Sequence, residues 1–289
     1  MKKNVVLVVN PVSGAIDKSG FIDAVTAYAT KENLNFILYK TTGKDDISAI
    51  KALFESYLPE RIVIAGGDGT IKMVAEATED QDLILGILPA GSSNGLAVNL
   101  DLMRTLEENL DIAFHNHYIE MDTIVINEKR CFHLSDLGLN AELVKNYEKS
   151  QIRGKWGYFL QSINTLLDVE EPFTATITAN NKTIKSDAIM VVIANSKKYG
   201  TGVVINPDGV MNDGKFELVI LKNLDFFIFS EIIMGNMPLN PDDFEIISTD
   251  KATIKTNFPV NFQMDGEYCG CESELKISIS SNKIKIAIP

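Results

Sequence analysis

Along the first third of the chain, short runs made almost wholly of apolar residues alternate with longer stretches whose apolar positions recur at helical spacing. The runs "NVVLVVN", "NFILYKT", "RIVIAGG" and "LILGILPAG" read as strands. Between them "FIDAVTAYATKE", "DDISAIKALFESY" and "TIKMVAEAT" read as helices, and a fourth helix is expected near residues 94–99. Strands that are apolar on both faces need cover on both. The pattern therefore predicts a mostly parallel sheet within a three-layer α/β domain.

Beyond about residue 122 the texture changes. "TATITA", "SDAIMVVIAN", "GKFELVIL", "FEIIST", "KATIKT", "PVNFQMDG", "ELKISI" and "KIKIAI" are short, rich in Val, Ile, Thr and Phe, and separated by turn residues. That is the pattern of an all-β antiparallel sandwich. Two segments, "KWGYFLQSINTLLD" and "NLDFFIFSEIIMG", interrupt it with helical spacing. The expected division is an α/β nucleotide-binding domain over residues 1–121 and a β-sandwich over residues 122–289. No Pro/Gly linker marks the change, so close packing of the two halves is expected.

Composition narrows the function. A chain of 289 residues is long for one domain and comfortable for two. Its formal net charge of -12 disfavours nucleic acid, which is held by clustered Lys and Arg, and firm electrostatic docking on anionic lipid. Cys131, Cys269 and Cys271 form neither a zinc pattern nor a disulfide framework, which points to a reducing cytoplasm. The apolar run in "MKKNVVLVVNP" is too short for a signal peptide, and no stretch approaches the ~20 apolar residues of a membrane span. His115, His117 and His133 lack a convincing metal spacing and read as structural.

The candidate chemistry sits at strand ends. In open α/β sheets ligands bind beyond the carboxyl ends of the strands. The first strand ends in Asn10, Pro11, Val12, Ser13 and Gly14. The third ends in Gly66, Gly67, Asp68, Gly69 and Thr70, and the fourth in Pro89, Ala90, Gly91, Ser92, Ser93, Asn94 and Gly95. Each loop combines Gly with Ser, Thr or Asn, which suits backbone and hydroxyl donors facing phosphate oxygens. A plain tight turn is the competing reading for any one of them, but three on one sheet edge favour a ligand. No Gly-Lys-Ser/Thr follows the glycines, so this is not a Walker A loop. Asp68 also stands where a dinucleotide fingerprint needs a small neutral residue. A carboxylate inside a phosphate loop implies Mg²⁺ between them, or a proton to be moved.

With these motifs the chain resembles the diacylglycerol kinase catalytic-domain family, which includes bacterial lipid kinases and sphingosine kinases. Asn10-Pro-x-Ser13-Gly14, Gly66-Gly-Asp-Gly-Thr70 and Pro89-x-Gly-Ser-x-Asn94 match its nucleotide motifs in order and spacing. "SDLGLNAELVKNYE", "ANSKKYGTGVVINPDGVMNDGKFELVIL" and "MDGE" resemble its later segments, so the likeness covers nearly the whole chain. It implies an NAD kinase/diacylglycerol kinase-like fold with ATP in the cleft between the domains. By motif match, ATP would contact Asn10, Pro11, Val12, Ser13, Gly14, Thr41, Gly66, Gly67, Asp68, Gly69, Thr70, Ile71, Lys72 and Ser92. Glu267 matches the position taken as general base. Asp68 and Asp122 match acidic positions of the Mg²⁺ and water network. Asp213 matches the side-chain ligand of a second, structural Mg²⁺, with backbone carbonyls at Val210 and Lys215. Gly95 departs from the Asp of many bacterial members, Ser92-Ser93 is closer to sphingosine kinases, and Lys215 replaces a common bulky apolar residue.

Read without the resemblance, Glu267 is equally a solvated turn carboxylate, and Asp265 fits the turn better than catalysis. Asp122 alone reads as a capping or exposed residue, and Asp213, in Asn212-Asp213-Gly214, as a hairpin turn. Lys145, Lys149, Arg153 and Lys155 precede Trp156, Tyr158 and Phe159, a mixture that suits a membrane interface but equally a solvated helix entering core. "FFIFSEIIM" reads as a buried helix. The expected activity is ATP- and Mg²⁺-dependent phosphorylation of a lipid hydroxyl, on diacylglycerol, a long-chain base or a related lipid. The alternatives are a kinase of a soluble hydroxyl compound such as NAD, or a non-catalytic nucleotide- or lipid-binding module. The expected partner is a lipid substrate at a membrane surface. Peripheral contact at the inner membrane face and a homo-oligomer are both compatible with the sequence.

Overall fold

The structure is a computed structural model that describes residues 2–79, 81–115, 117–139, 141, 172–199, 203–223 and 242–289. The basic–aromatic stretch at residues 145–159 lies outside them. So do the helix expected from "KWGYFLQSINTLLD" and all but the first residue of that expected from "NLDFFIFSEIIMG". The chain divides into two units, Met1–Met121 with Asn282–Pro289, and Asp122–Ser281.

The first unit opens with β1 (Asn4–Val9), α1 (Ser19–Lys31), β2 (Asn35–Lys40), α2 (Asp46–Tyr57), β3 (Arg61–Gly66), α3 (Asp68–Ala77) and β4 (Ile84–Pro89). These strands are parallel and lie in the order β2-β1-β3-β4. Every residue from Val5 to Val9 and from Ile62 to Gly66 is buried, as a sheet covered on both faces requires. One face packs Val5, Leu7, Val9, Val63, Ala65 and Leu88 against Val25 and Ala29 of α1. A short α4 (Gly95–Asn99), then α5 (Leu106–His115) and β5 (Tyr118–Met121), complete this part. Helix α5 is absent from the sequence reading. It closes the same core through Leu106, Leu110 and Phe114, and Phe114 stacks on Tyr28 with ring centroids 4.1 Å apart.

The second unit is antiparallel, with β6 (Ile124–Ile126), β7 (Lys129–Cys131), β8 (Leu134–Gly138), β9 (Phe173–Ala179), β10 (Lys182–Ala188), β11 (Met190–Ala194), β12 (Phe216–Leu221), β13 (Phe244–Thr249), β14 (Lys251–Met264) and β15 (Glu267–Ile279). In β9 Phe173, Ala175, Ile177 and Ala179 are buried and the threonines between them are not, the period of two expected of a half-buried strand. "KATIKT" and "PVNFQMDG" prove to be one strand, β14. It pairs with β9 over its first part and with β8 over its last, with register shifts between. A bulged strand that changes partners in this way is how a sandwich turns a corner. "SDAIMVVIAN" is the reverse case, breaking at Ile189 into β10, which pairs with β9, and β11, which pairs with β8 and β12.

The last strand corrects the expected division. "KIKIAI" does not join the sandwich: β16 (Ile284–Ala287) returns to the first sheet, parallel to β4 and antiparallel to β5. The completed order is β2-β1-β3-β4-β16-β5. A four-residue apolar strand carries nothing in its own pattern that selects one sheet over another.

Candidate active site

In the first sheet β1 connects to β2 on one side, and the chain then crosses to β3 on the other side of β1. The strand order therefore reverses between β1 and β3, the place where such sheets leave a ligand crevice beyond their carboxyl ends. The loops after β1, β3 and β4 stand at that edge.

Steric contacts show that they interlock. A Cβ on Gly14 would fall 2.7 Å from Ala90 O and 2.8 Å from Gly91 C, and Gly14 also needs its positive φ of 63°. A Cβ on Gly91 would fall 2.4 Å from Gly67 Cα, and one on Gly66 would fall 2.6 Å from the Thr70 side chain. These glycines let backbone lie on backbone. Polar bonds fasten the same contacts. Asn10 Nδ2 donates to Thr70 Oγ1 at 3.1 Å, Ser13 Oγ to Ala90 O at 3.0 Å, and Gly91 N to Asn94 Oδ1 at 2.7 Å. Gly69 is different: its φ is not positive and nothing lies within 4 Å of where its Cβ would be. It opens the first turn of α3, whose cap position is Gly67 and which has no side-chain cap. A helix N-terminus of that kind presents amides and positive dipole to an anion.

Asp68 has backbone partners that its sequence does not show. Its Oδ2 accepts Gly95 N at 2.7 Å and its Oδ1 accepts Leu96 N at 2.9 Å. The carboxylate thus caps α4 from a neighbouring loop, and backbone amides already balance its charge. A cation or a mobile proton is not the sole reason for an acid here, although each oxygen keeps lone-pair capacity for one. Ile71 is buried within α3, Lys72 is half-buried, and Ser92, Pro11 and Val12 are exposed on their loops. Thr41 follows β2, and its N donates to Val9 O at 2.9 Å. The loop beyond it is clamped by buried Asp46, which accepts Tyr39 OH at 2.6 Å, Thr42 N at 2.9 Å and Gly43 N at 2.7 Å. Burial alone would raise the Asp46 pKa, but these bonds outweigh it and hold it below the usual carboxylate value. Burial, then the bond to Asp46, pushes Tyr39 up to about 12.

The second unit carries the other candidates. Glu267 is the first residue of β15 and pairs with Met264 across a two-residue turn formed by Asp265 and Gly266, both at positive φ. Asp265 is structural: its carboxylate accepts Phe132 N and, at 2.9 Å, His133 N. Gln263 braces the turn from behind. It accepts Gly266 N at 2.8 Å and donates to Asp136, a fully buried acid that also accepts Tyr199 OH at 3.1 Å. The exposed Glu267 carboxylate therefore stands on a backbone fixed by buried polar groups.

Asp122 is 0% exposed, against the exposed or capping residue expected from sequence. Its Oδ2 accepts Gly214 N at 2.6 Å and its N donates to Met211 O at 2.7 Å, so it pins the turn that carries Asp213. Asp213 and Lys215 are exposed and Val210 is 46% exposed, and Asp213 Oδ1 accepts Lys215 N at 3.0 Å, the side-chain turn its sequence predicts. The structure brings Val210, Asp213 and Lys215 together about one turn of the second unit. Asn195, Asn206 and Glu217, absent from the sequence reading, extend the buried polar layer. Asn195 Nδ2 donates to Asp122 O at 2.7 Å and Asn206 Nδ2 to Glu217 Oε2 at 2.7 Å. The available signal was an acid inside an apolar run, as in "HLSDLG" and "KFELVIL". Two of the three histidines accept backbone bonds: His133 O accepts Asn195 N and His117 O accepts Ile288 N.

Among known proteins, the family model described as the diacylglycerol kinase catalytic domain matches residues 4–126. The model described as the YegS C-terminal NAD kinase β-sandwich-like domain matches residues 136–287. A curated relative from an Enterobacter species, named probable lipid kinase YegS-like, is 28% identical over 80% of this chain and 78% of its own. One of the same name from Shewanella frigidimarina is 23% identical over 72% and 70%. A crystal structure of a diacylglycerol kinase from Bacillus anthracis superposes with TM-score 0.77 at 17% identity, covering 99% of this chain and 97% of that one. An NAD kinase from Archaeoglobus fulgidus, solved with ATP, reaches TM-score 0.57 at 11% identity, over 98% and 93%. These two structural likenesses bear on the fold. The two family models together span both units, and the chain belongs to the family that joins a diacylglycerol kinase catalytic domain to a YegS-type C-terminal β-sandwich domain.

Proposed function

We propose that this chain is an ATP- and magnesium-dependent lipid kinase that phosphorylates a hydroxyl of diacylglycerol, a long-chain base or a related lipid. Membership of the family carries the coarser statement that it is a phosphotransferase with an alcohol acceptor. The observation that supports ATP as the donor is the interlocked set of loops at the switch point, with Gly69 open at the start of α3, while the lipid acceptor rests on the family.

In this reading the Gly66–Thr70 loop and the α3 amides receive the phosphates, steadied by the loops that hold Asn10 to Gly14 and Ser92. Thr41, Ile71 and Lys72 flank them. Glu267 takes the proton of the acceptor hydroxyl as its oxygen bonds to the terminal phosphorus. The bridging P–O bond breaks and ADP leaves with its electron pair. The donor set fits a nucleotide-bound magnesium, which needs one or two carboxylates besides the phosphates: Asp68 retains lone pairs after its two amide bonds. Such an ion would neutralise charge developing on the phosphates. Asp122, closed off and bonded to the Gly214 amide, holds the turn of the second unit that carries Asp213. A second magnesium at Asp213 is compatible with its one amide bond to Lys215, which leaves the other oxygen of that carboxylate for a cation.

No helix among the described residues is long and apolar enough to cross a membrane, so the proposed access to lipid is peripheral. The test is transfer of label from γ-labelled ATP, with magnesium, to a total lipid extract or to NAD. Label in an organic-phase product supports the proposal. Label in NAD, or ATP binding with no product from any lipid, would falsify it. Glu267→Gln is expected to lower kcat about 10²-fold or more with the KM for ATP little changed.

A further inference from the structure

Lys18 lies one residue before α1 and is 5% exposed. Its ammonium donates to two uncharged groups, the backbone carbonyls of Ser13 at 2.6 Å and Ile16 at 2.7 Å. The neighbouring carboxylate of Asp17 is bonded to the amide and hydroxyl of Ser19 rather than to Nζ, and its charge only partly offsets the burial. A buried ammonium is expensive unless something repays its desolvation, and burial holds this one below the usual lysine pKa. Neither a salt bridge nor a core contact accounts for it.

Peptide geometry does. In a planar trans peptide the carbonyl of one residue and the amide of the next point in opposite directions. Turning the Ser13 and Ile16 carbonyls inward onto Nζ turns the amides of Gly14 and Asp17 away from it. The same loop is pressed on its neighbour by the Ser13 Oγ bond to Ala90 O and by the close approach of Gly14 to Gly91. Lys18 is the cation round which the loop after β1 is wound, and in a poorly solvated place its field is weakly screened.

We propose that Lys18 is a positioning residue for nucleotide phosphate: it draws Ser13 and Ile16 about its ammonium, so that the Gly14 and Asp17 amides face away from it and, with its own positive field, serve the anion. It is too enclosed to touch the ligand and acts through the loop. The inference rests on the nucleotide reading above and adds the residue that sets anion affinity at the first loop.

The test uses the full chain with ATP and inorganic tripolyphosphate as titrants, read by calorimetry beside thermal unfolding. Lys18→Met keeps the stem and removes the charge, Lys18→Gln keeps a donor without charge, and Lys18→Arg keeps both. Lys18→Met is expected to weaken both titrants by about tenfold or more, with Lys18→Gln intermediate and Lys18→Arg within about threefold of the parent. A folded Lys18→Met chain that binds both like the parent overturns the proposal. Should Lys18→Met not fold, equal affinities in Lys18→Gln and Lys18→Arg overturn it, since charge would then be irrelevant. If the parent binds tripolyphosphate and ATP not at all, the nucleotide reading falls and takes this inference with it, a result distinct from the variants matching a parent that binds.

Discussion

At the scale of single residues the glycines of the three loops do two different jobs, and substitution separates them. Gly91→Ala places a methyl 2.4 Å from Gly67 Cα, a backbone atom that cannot swing aside. Overpacking of this kind costs about 1–3 kcal/mol, so both the melting temperature and ATP affinity should fall. Gly69→Ala meets nothing within 4 Å and suits a helix, so stability should hold or rise slightly. ATP affinity should nevertheless drop, because the methyl stands where phosphate would approach the amides. Parental affinity in Gly69→Ala would place the phosphates elsewhere. Asp68→Asn is less simple than a charge deletion, because its amide nitrogen must face one of the two N–H donors at Gly95 and Leu96. The sequence made the three loops visible and allowed them to be read as a phosphate cradle. It could not show that Gly14, Gly67 and Gly91 exist for each other, or that the partners of Asp68 lie on α4. Those facts depend on which strands become neighbours, and no local spacing encodes that. The complete burial of Asp122 was not legible for the same reason: burial of an acid is a property of the layer that closes over it.

At the scale of elements the Tyr39–Asp46 bond joins β2 to the first turn of α2 and shapes the loop after Thr41. Tyr39 has its folded pKa raised from 10.0 to about 12. The folded state therefore prefers the neutral phenol. The resulting stability is complete below the ordinary value and is lost as pH climbs through the folded one. Asp46 has the opposite sign, its contribution present above the ordinary carboxylate value and lost on acidification. Tyr39→Phe should cost about 1.5–3 kcal/mol at neutral pH in urea unfolding, the range for a hydrogen bond to a charged group. That gap should narrow by about pH 11. A gap that stays constant with pH would assign the loss to packing instead. The elements that sequence displays well are those with a distinct pattern of their own: β1, β3 and β4 follow from wholly apolar runs and the helices α1 to α3 from apolar spacing. The junctions of the sandwich do not. β14 runs through Pro259 and a change of partner, and β10 and β11 part at Ile189. Alternation marks a strand without marking where it bends into another layer.

At the scale of the whole molecule, the first unit is not finished until the chain has built the second. Strand β16 fills the place between β4 and β5, with Ile286 and Ala287 fully buried and Lys285 paired with Asp82 and 5.1 Å from the Tyr118 ring. Among the described residues β5 pairs with no other strand. Without β16, β4 would be an exposed edge, and β5 would have nothing to hold it to the sheet. Ile286→Ala should cost about 2–5 kcal/mol, as expected for a large-to-small change at a fully buried site. The loss should be local in character. Hydrogen exchange should speed up at β4 and β5 while β11 and β12, buried on both faces within the other unit, keep their protection. Truncation after Ser281 should go further, opening the β4 edge to pairing between chains and producing aggregation that Ile286→Ala does not. If the truncated chain stayed monodisperse and melted like the parent, β16 would be an accessory to the first sheet. The carboxyl-end loops of β1, β3 and β4 would then owe their positions to the strands that precede them alone.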